Sequence, residues 1–277
     1  MLTKQGRLTS RSMKRWLPFV KNNPSVAVIR LSGVIATGSR GTLNDAALAG
    51  TIEKAFVRGK PAAVALLLNS PGGSPVQSSL IAARIRRLAA EKDVPVYAFV
   101  EDVAASGGYW LACAADEIFV DESSIVGSIG VISSSFGFHE LMQRQGIERR
   151  VHTAGKDKSM LDPFRPERDE DIVRLKDLQK QIHDAFIAHV QKRRGAKLPE
   201  GEDLFTGEIW VGQKSIDTGL ADGIGHLVPV MKDKLGNKVK FRVYGQRKSF
   251  LNRIGAQVFG DAMAQVEDRA LWARFGL

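Results

Sequence analysis

The chain has a single cysteine among 277 residues, Cys113, so no disulfide can form within it and the fold has no covalent staple. That usage fits a reducing compartment. Long apolar runs are also missing, and nothing approaches the roughly eighteen uninterrupted apolar residues of a helical membrane span. Trp16-Leu17-Pro18-Phe19-Val20 is too short to cross a bilayer, and no small-residue cleavage site follows it, so neither a span nor a secretory signal is expected. The expected location is the cytoplasm or the surface of a membrane. Aromatics are scarce, at 7%, and no nucleic-acid motif is present, so the excess of 40 Lys and Arg over 30 Asp and Glu does not point to nucleic acid. Acidic residues are absent from residues 1–21, which carry Lys4, Arg7, Arg11, Lys14, Arg15 and Lys21 around Met13, Trp16, Leu17 and Phe19. Such a segment suits peripheral contact with an anionic membrane, and equally a solvated tail.

What is present is an alternation of strand and helix. Ser25 to Leu31 reads as a strand, Thr42 to Arg58 as an amphipathic helix capped by Asn44 or Thr42, and Ala63 to Leu68 as a second strand. Val76 to Glu91 reads as a helix, Val94 to Val100 as a strand, and Glu117 to Val120 as a fourth, short one. This order predicts an α/β protein with a mostly parallel sheet. Further on, Ser124 to Ile132 is a glycine-punctuated extended segment, Phe138 to Gln145 a helix, and Val151 to Phe164 a loop. Glu167 to Arg194 is the strongest helix in the chain, with Ile172, Leu175, Leu178, Ile182, Phe186 and Val190 on one face and Gly195 as its stop. A strand at Val239 to Tyr244 and an amphipathic helix from about Phe250 to Phe275 complete the pattern. The domain reading is a basic segment at 1–23, a main domain at 24–230, and an extension at 231–277 serving oligomerisation.

Two loops carry chemistry. The apolar strand ending at Val100 is followed by Ala104-Ala105-Ser106-Gly107-Gly108-Tyr109 and then a helix start. A serine there has its hydroxyl near backbone N–H groups that lack intrahelical partners and can hold a developing negative charge. The strand ending at Leu68 runs into Asn69-Ser70-Pro71-Gly72-Gly73-Ser74, where paired glycines let amides approach a ligand. Side by side, the two strand ends would frame an oxyanion hole around a nucleophile. The glycines of Gly127-Ser128-Ile129-Gly130-Val131 mark a place where another backbone, such as a bound peptide, comes close.

A serine hydroxyl needs a base. Of His139, His152, His183, His189 and His226 none lies in a glycine-framed loop, and His152 is the best of them because it opens the Lys156/Lys158 loop. A lysine serves only when desolvation or like charge lowers its pKa by about three units. Lys158 has Met160, Leu161, Pro163 and Phe164 after it as an apolar wall, while Lys156 and Asp157 read as more exposed.

Five motifs in order decide between these options: Leu68-Asn-Ser-Pro-Gly-Gly, Ala105-Ser106-Gly-Gly-Tyr-Trp, Gly127-Ser-Ile-Gly-Val, Ala154-Gly-Lys-Asp-Lys158-Ser, and Phe205-Thr-Gly-Glu with Gly219-Leu-Ala-Asp222. Together they resemble the S49 serine peptidases of the signal peptide peptidase A and SohB type, over about residues 25 to 230. The resemblance implies the Clp-protease/crotonase-like fold, a repeated ββα spiral, here with a C-terminal helical extension. It implies Ser106 as nucleophile, Lys158 as general base, the Gly73 and Gly107 amides as oxyanion hole, and Gly127, Ser128, Ile129, Gly130 and Val131 beside the peptide substrate. It further implies a homo-oligomeric ring in which Lys158 of one subunit completes its neighbour's site, with no metal or cofactor. Two departures stand out: the membrane anchor usual in the family has a basic segment in its place, and Ser215 stands where alanine is common. The alternatives are a crotonase-like acyl-CoA enzyme using Glu101 or Asp102, and a non-catalytic membrane-associated scaffold.

Overall fold

The computed structural model describes residues 23–37, 42–245 and 269–277. The basic segment at 1–21 and most of the expected C-terminal helix lie outside the described residues, although 269–273 are helical.

Three parallel strands form the centre: β1 (Ser25–Ser32), β2 (Ala63–Ser70) and β3 (Val96–Ala105). Their nearly unbroken apolar runs follow from burial on both faces. Ala27, Ile29, Leu66, Leu68, Ala98 and Val100 face one core, while Val26, Val28, Ala65 and Phe99 face a second. The first core is covered by α1 (Asp45–Val57) and α2 (Pro75–Lys92). Asn44 caps α1 by accepting from the Ala47 amide at 2.9 Å, and Ser74 caps α2 with Pro75 in its first turn, where a missing N–H costs nothing. Arg84 ties the two helices together, forking onto Asp45 at 2.7 and 2.8 Å.

The strand expected to end at Val100 continues to Ala105, and it splits its outer edge between two partners. Tyr97 to Phe99 pair with β4 (Glu117–Val120), and Val103 to Ala105 pair with β5 (Ile125–Gly127). Glu101 and Asp102 break the apolar pattern without breaking the strand, because Arg30 of β1 pairs with Glu101 at 3.4 Å and the Asn69 amide donates to Asp102. Between β3 and β4 lies α3 (Gly107–Ala112), buried at every residue. The extended segment expected over Ser124 to Ile132 keeps strand pairing only at β5, since beyond Gly127 the chain turns away from the sheet.

The remaining body elements are β6 (Ile209–Val211), antiparallel to β5, then α6 (Gln213–Asp217), and β7 (Gly223–Ile224) on β4. α7 (Leu227–Leu235) covers the second core through Met231, and β8 (Lys240–Tyr244) runs parallel to β1. The main path of the sheet is β6-β5-β3-β2-β1-β8. The boundary expected at 230/231 therefore falls inside α7, and β8 belongs to the same sheet.

α4 (His139–Arg144) and α5 (Asp169–Arg194) complete the element order. At 1.5 Å per residue α5 is roughly 39 Å long, and only its second half docks on the body. There Phe186 stacks on Trp110 at 4.9 Å and Val190 is fully buried. Its first half and residues 131–168 form an arm, and the apolar stripe of the helix is open up to its midpoint, with Leu178 43% and Ile182 39% exposed.

Arg194 locks the end of α5 to the body. It is 2% exposed, donates to the Gly219 carbonyl at 2.6 and 3.0 Å, and meets Asp222 at 2.6 Å. Burial pushes the Asp222 carboxyl up, but hydrogen bonds from Arg194, Lys197 and the Ile118 amide outweigh it and hold the group below its usual value. The stability this site contributes is thus present above the ordinary carboxylate range and is lost as pH falls through the lowered value. Asp222→Ala leaves the Arg194 guanidinium buried without its ion, and about 3–5 kcal/mol of stability should go at pH 7. Urea denaturation checks this, and a loss under about 1 kcal/mol would contradict it.

Candidate active site

The parallel register of β2 and β3 pairs Ser70 with Ala104, so the loops leaving the two strands lie against each other. Contacts there are at the van der Waals limit. A Cβ on Gly72 would meet the Cβ of Ser106 at 2.8 Å and the Gly107 nitrogen at 2.9 Å, and one on Gly107 would lie 3.3 Å from the Gly73 nitrogen. Gly73 has φ +134°, and a Cβ there would sit 2.1 Å from the Ile35 carbonyl oxygen. That carbonyl accepts from the Ser74 amide at 2.7 Å, while the Ile35 amide donates to Gly72 at 2.8 Å. In this bridge the flanking groups are used and the Gly73 amide points to the other side.

Ser106 sits between β3 and α3 with φ 51° and ψ −121°, a conformation that costs a non-glycine residue about 1–3 kcal/mol. Its surroundings hold it there. Its amide donates to the Gly127 carbonyl at 2.8 Å, its carbonyl accepts from Trp110 at 3.0 Å, and the helix it caps is buried. The hydroxyl makes no capping hydrogen bond. Gly107, as the first residue of α3, has no carbonyl one turn earlier to receive its N–H. Ser106, Gly73 and Gly107 are thereby brought into one place. Gly72 and Ser78 join them: Ser78 is fully buried, donates to the Ser74 carbonyl at 2.9 Å, and would meet a Cβ on Gly107 at 2.5 Å. The paired glycines signalled Gly72 in the sequence, whereas a serine inside a helix gave no signal.

Gly127 adjoins the site through β5, and Trp210 lies 2.5 Å from where its Cβ would be. Beyond it the backbone is partly committed. The Ser128 amide donates to Glu208 at 2.7 Å, the Gly130 amide to Ser128 at 2.9 Å, and the Ile129 carbonyl meets His183 Nε2 at 3.0 Å. Ser128 and Ile129 are buried, while Gly130 and Val131 are half-buried at the rim.

Lys158 is not brought to Ser106 within the chain. It is exposed, in a turn on the arm, with its amide donating to Gly155 at 3.3 Å. The apolar wall expected from Phe164 is engaged elsewhere: Phe164 stacks on Phe138 at 5.6 Å and carries Arg149 over its ring at 4.5 Å. Asp157, expected to be the more exposed neighbour, is half-buried and paired with Arg174 at 2.5 Å. Among the described residues no histidine nitrogen bonds the Ser106 hydroxyl. His183 and His189 point at the carbonyls of Ile129 and Trp110, and burial lowers His189 to about 4, so it is neutral at pH 7. His152 is exposed. No cluster of metal-ligating side chains occurs among the described residues.

Residues 89–238, more than half the chain, match the model of peptidase family S49. The chain belongs to peptidase family S49. It is 49% identical over 286 residues to the Na(+)/H(+) antiporter NhaA of Brucella melitensis, covering 96% of this chain and 39% of that protein. None of the described helices is long and apolar enough to cross a membrane. A putative signal peptide peptidase SppA of Enterococcus faecium is 32% identical over 166 residues, with 59% of this chain and 47% of that one covered. The probable protease SohB of Buchnera aphidicola is 32% identical over 204 residues, covering 73% and 60%. The S49 chain thus spans between 39% and 60% of the length of these relatives. A solved structure of a 1510-N membrane-bound stomatin-specific protease mutant with a substrate peptide superposes with a TM-score of 0.49 at 14% identity, covering 84% of this chain and 96% of that one.

Gly73→Ala should strain the loop and push it off Ile35, moving the Gly73 amide away from Gly107. Were that amide an oxyanion donor, peptide cleavage should fall at least a hundredfold, the size of effect that losing one such donor brings, with a drop in thermal midpoint. Steady-state cleavage rates beside a melting curve test it; unchanged turnover would remove Gly73 from the site.

Proposed function

We propose that this S49 protein is a serine endopeptidase acting through a Ser-Lys dyad. The observation that carries the reading is the close contact of the Gly72-Gly73 loop with strained Ser106 and Gly107, in which the backbone of each loop lies against the other with no room for a further side chain. Neutral Lys158 Nζ takes the Ser106 proton as Oγ attacks the peptide carbonyl, and the Gly73 and Gly107 amides hold the tetrahedral oxyanion. The lysine then gives that proton to the leaving amine, and water releases the acyl group by the reverse sequence. Residues 127–131 flank the peptide chain.

Lys158 reaches a serine on a neighbouring subunit. Two features support a ring of this kind: the exposure of Lys158 on an arm that extends from the body, and the uncovered apolar side chains along that arm. Ile132 is 68%, Phe136 79%, Ile147 58% and Val173 70% exposed, apolar surface that a contact between copies would cover. Covering the arm would also desolvate the lysine, which a general base of this type requires. Enclosed sites would admit unfolded or hydrophobic peptides, released signal peptides among them, as the name of the Enterococcus relative suggests. The basic segment at 1–21 would add peripheral membrane contact, and the 231–277 region would contribute to assembly. Against an acyl-CoA reading, Glu101 and Asp102 are engaged with Arg30 and Asn69.

Ser106→Ala and Lys158→Ala should each reduce cleavage of an unfolded peptide library by at least a thousandfold, read by mass spectrometry. Mixing the two inactive proteins under subunit exchange should restore part of the activity. Full activity in Lys158→Ala would remove the base, and no recovery after proven exchange would remove the shared site.

A further inference from the structure

The stretch Lys156-Asp157-Lys158 is pinned to the start of α5 by the two residues that immediately precede the proposed base. Lys156 pairs with Glu170 at 3.6 Å and Asp157 with Arg174 at 2.5 Å, whereas Lys158 has no carboxylate within 4 Å among the described residues. We infer that Arg174 is a positioning residue for the reaction: it fixes Asp157 and cancels its charge, so that Lys158 is aimed outward and is free to lose its proton. This rests on the Ser-Lys reading and specifies how the loop sustains it.

The surrounding charges fit that role. On the loop, Asp162 is paired with Arg149 at 3.1 Å and Arg165 at 3.9 Å. On α5, Asp171 is 5% exposed, takes both arms of Arg168 at 2.6 and 2.9 Å, and accepts the Leu161 amide at 3.3 Å. Glu167 and Asp169 are exposed at the helix start. Asp157 is therefore the carboxylate adjacent to Lys158 in the chain, and Arg174 is the cation assigned to it. The hydrogen bond from Arg174 holds the Asp157 carboxyl below its usual range, so Asp157 is an anion at every pH where the peptidase would work. Stripped of its guanidinium, that anion would favour the ammonium form of the neighbouring lysine. In a partly solvated setting, uncovering one neighbouring unit charge is an effect of about one pH unit in order of magnitude.

The test uses the full chain with a fluorogenic apolar peptide, measuring kcat/KM from pH 5 to 10 for wild type, Arg174→Gln, Asp157→Asn/Arg174→Gln and Lys158→Ala. Arg174→Gln should lower kcat/KM about tenfold at pH 7, move the rising limb up by about one pH unit, and regain most of the wild-type plateau at high pH. The double variant lacks the same ion pair but carries no stray anion, and its limb should return to the wild-type position. An unmoved limb in Arg174→Gln, or a double variant no better than the single, overturns the inference. Activity in Lys158→Ala overturns the Ser-Lys reading itself, and with it this one, by a separate signature.

Discussion

The site depends on the register of two parallel strands. Pairing Ser70 with Ala104 brings a loop of two glycines against the turn at Ser106, with no room for a side chain on Gly72, Gly73 or Gly107. Shifting one strand by a single residue would exchange its side chains between the two cores, so the cores and the site are fixed by the same pairing. The strain at Ser106 is tolerated because its amide is tied to Gly127 and the helix it caps is buried throughout. The hydrophobic core thereby holds a polar group in a conformation that its own backbone preference opposes.

The arm follows different physics. Its internal order comes from ion pairs and a small aromatic cluster, Phe136, Phe138 and Phe164, rather than from the core. Only the second half of α5 connects it firmly to the body, through Phe186, Val190 and the buried Arg194. The elements that would supply nucleophile and oxyanion hole are thus rigidly coupled to one another, whereas the loop bearing Lys158 is coupled to them through one long helix. Such a division is what a shared site between subunits would require.

Much of this was legible in the sequence, because the relevant signals are local. Apolar runs gave β1, β2 and β4 within two residues, Asn44 was one of the two caps expected for α1, and the glycine pairs located both loops. The misses have particular causes. β3 was cut short at Val100 because Glu101 and Asp102 look like loop residues until Arg30 and Asn69 are seen opposite them. The apolar stripe of α5 predicted a buried helix face, yet Ile182 and Leu178 remain open, since periodicity reports that a face needs covering and not which chain covers it. The wall expected around Lys158 failed for a similar reason: Phe164 is apolar and near in sequence, but it packs on Phe138 instead.

The most direct test of the central claim, that Ser106 is an activated nucleophile, is covalent labelling of the 277-residue chain with a peptidyl phosphonate, followed by peptide mapping. One adduct per chain on Ser106, absent after heat denaturation and strongly slowed by Lys158→Ala, is the predicted result. Folded protein that takes up no label, or that is labelled at another serine such as Ser78 or Ser128, would contradict it.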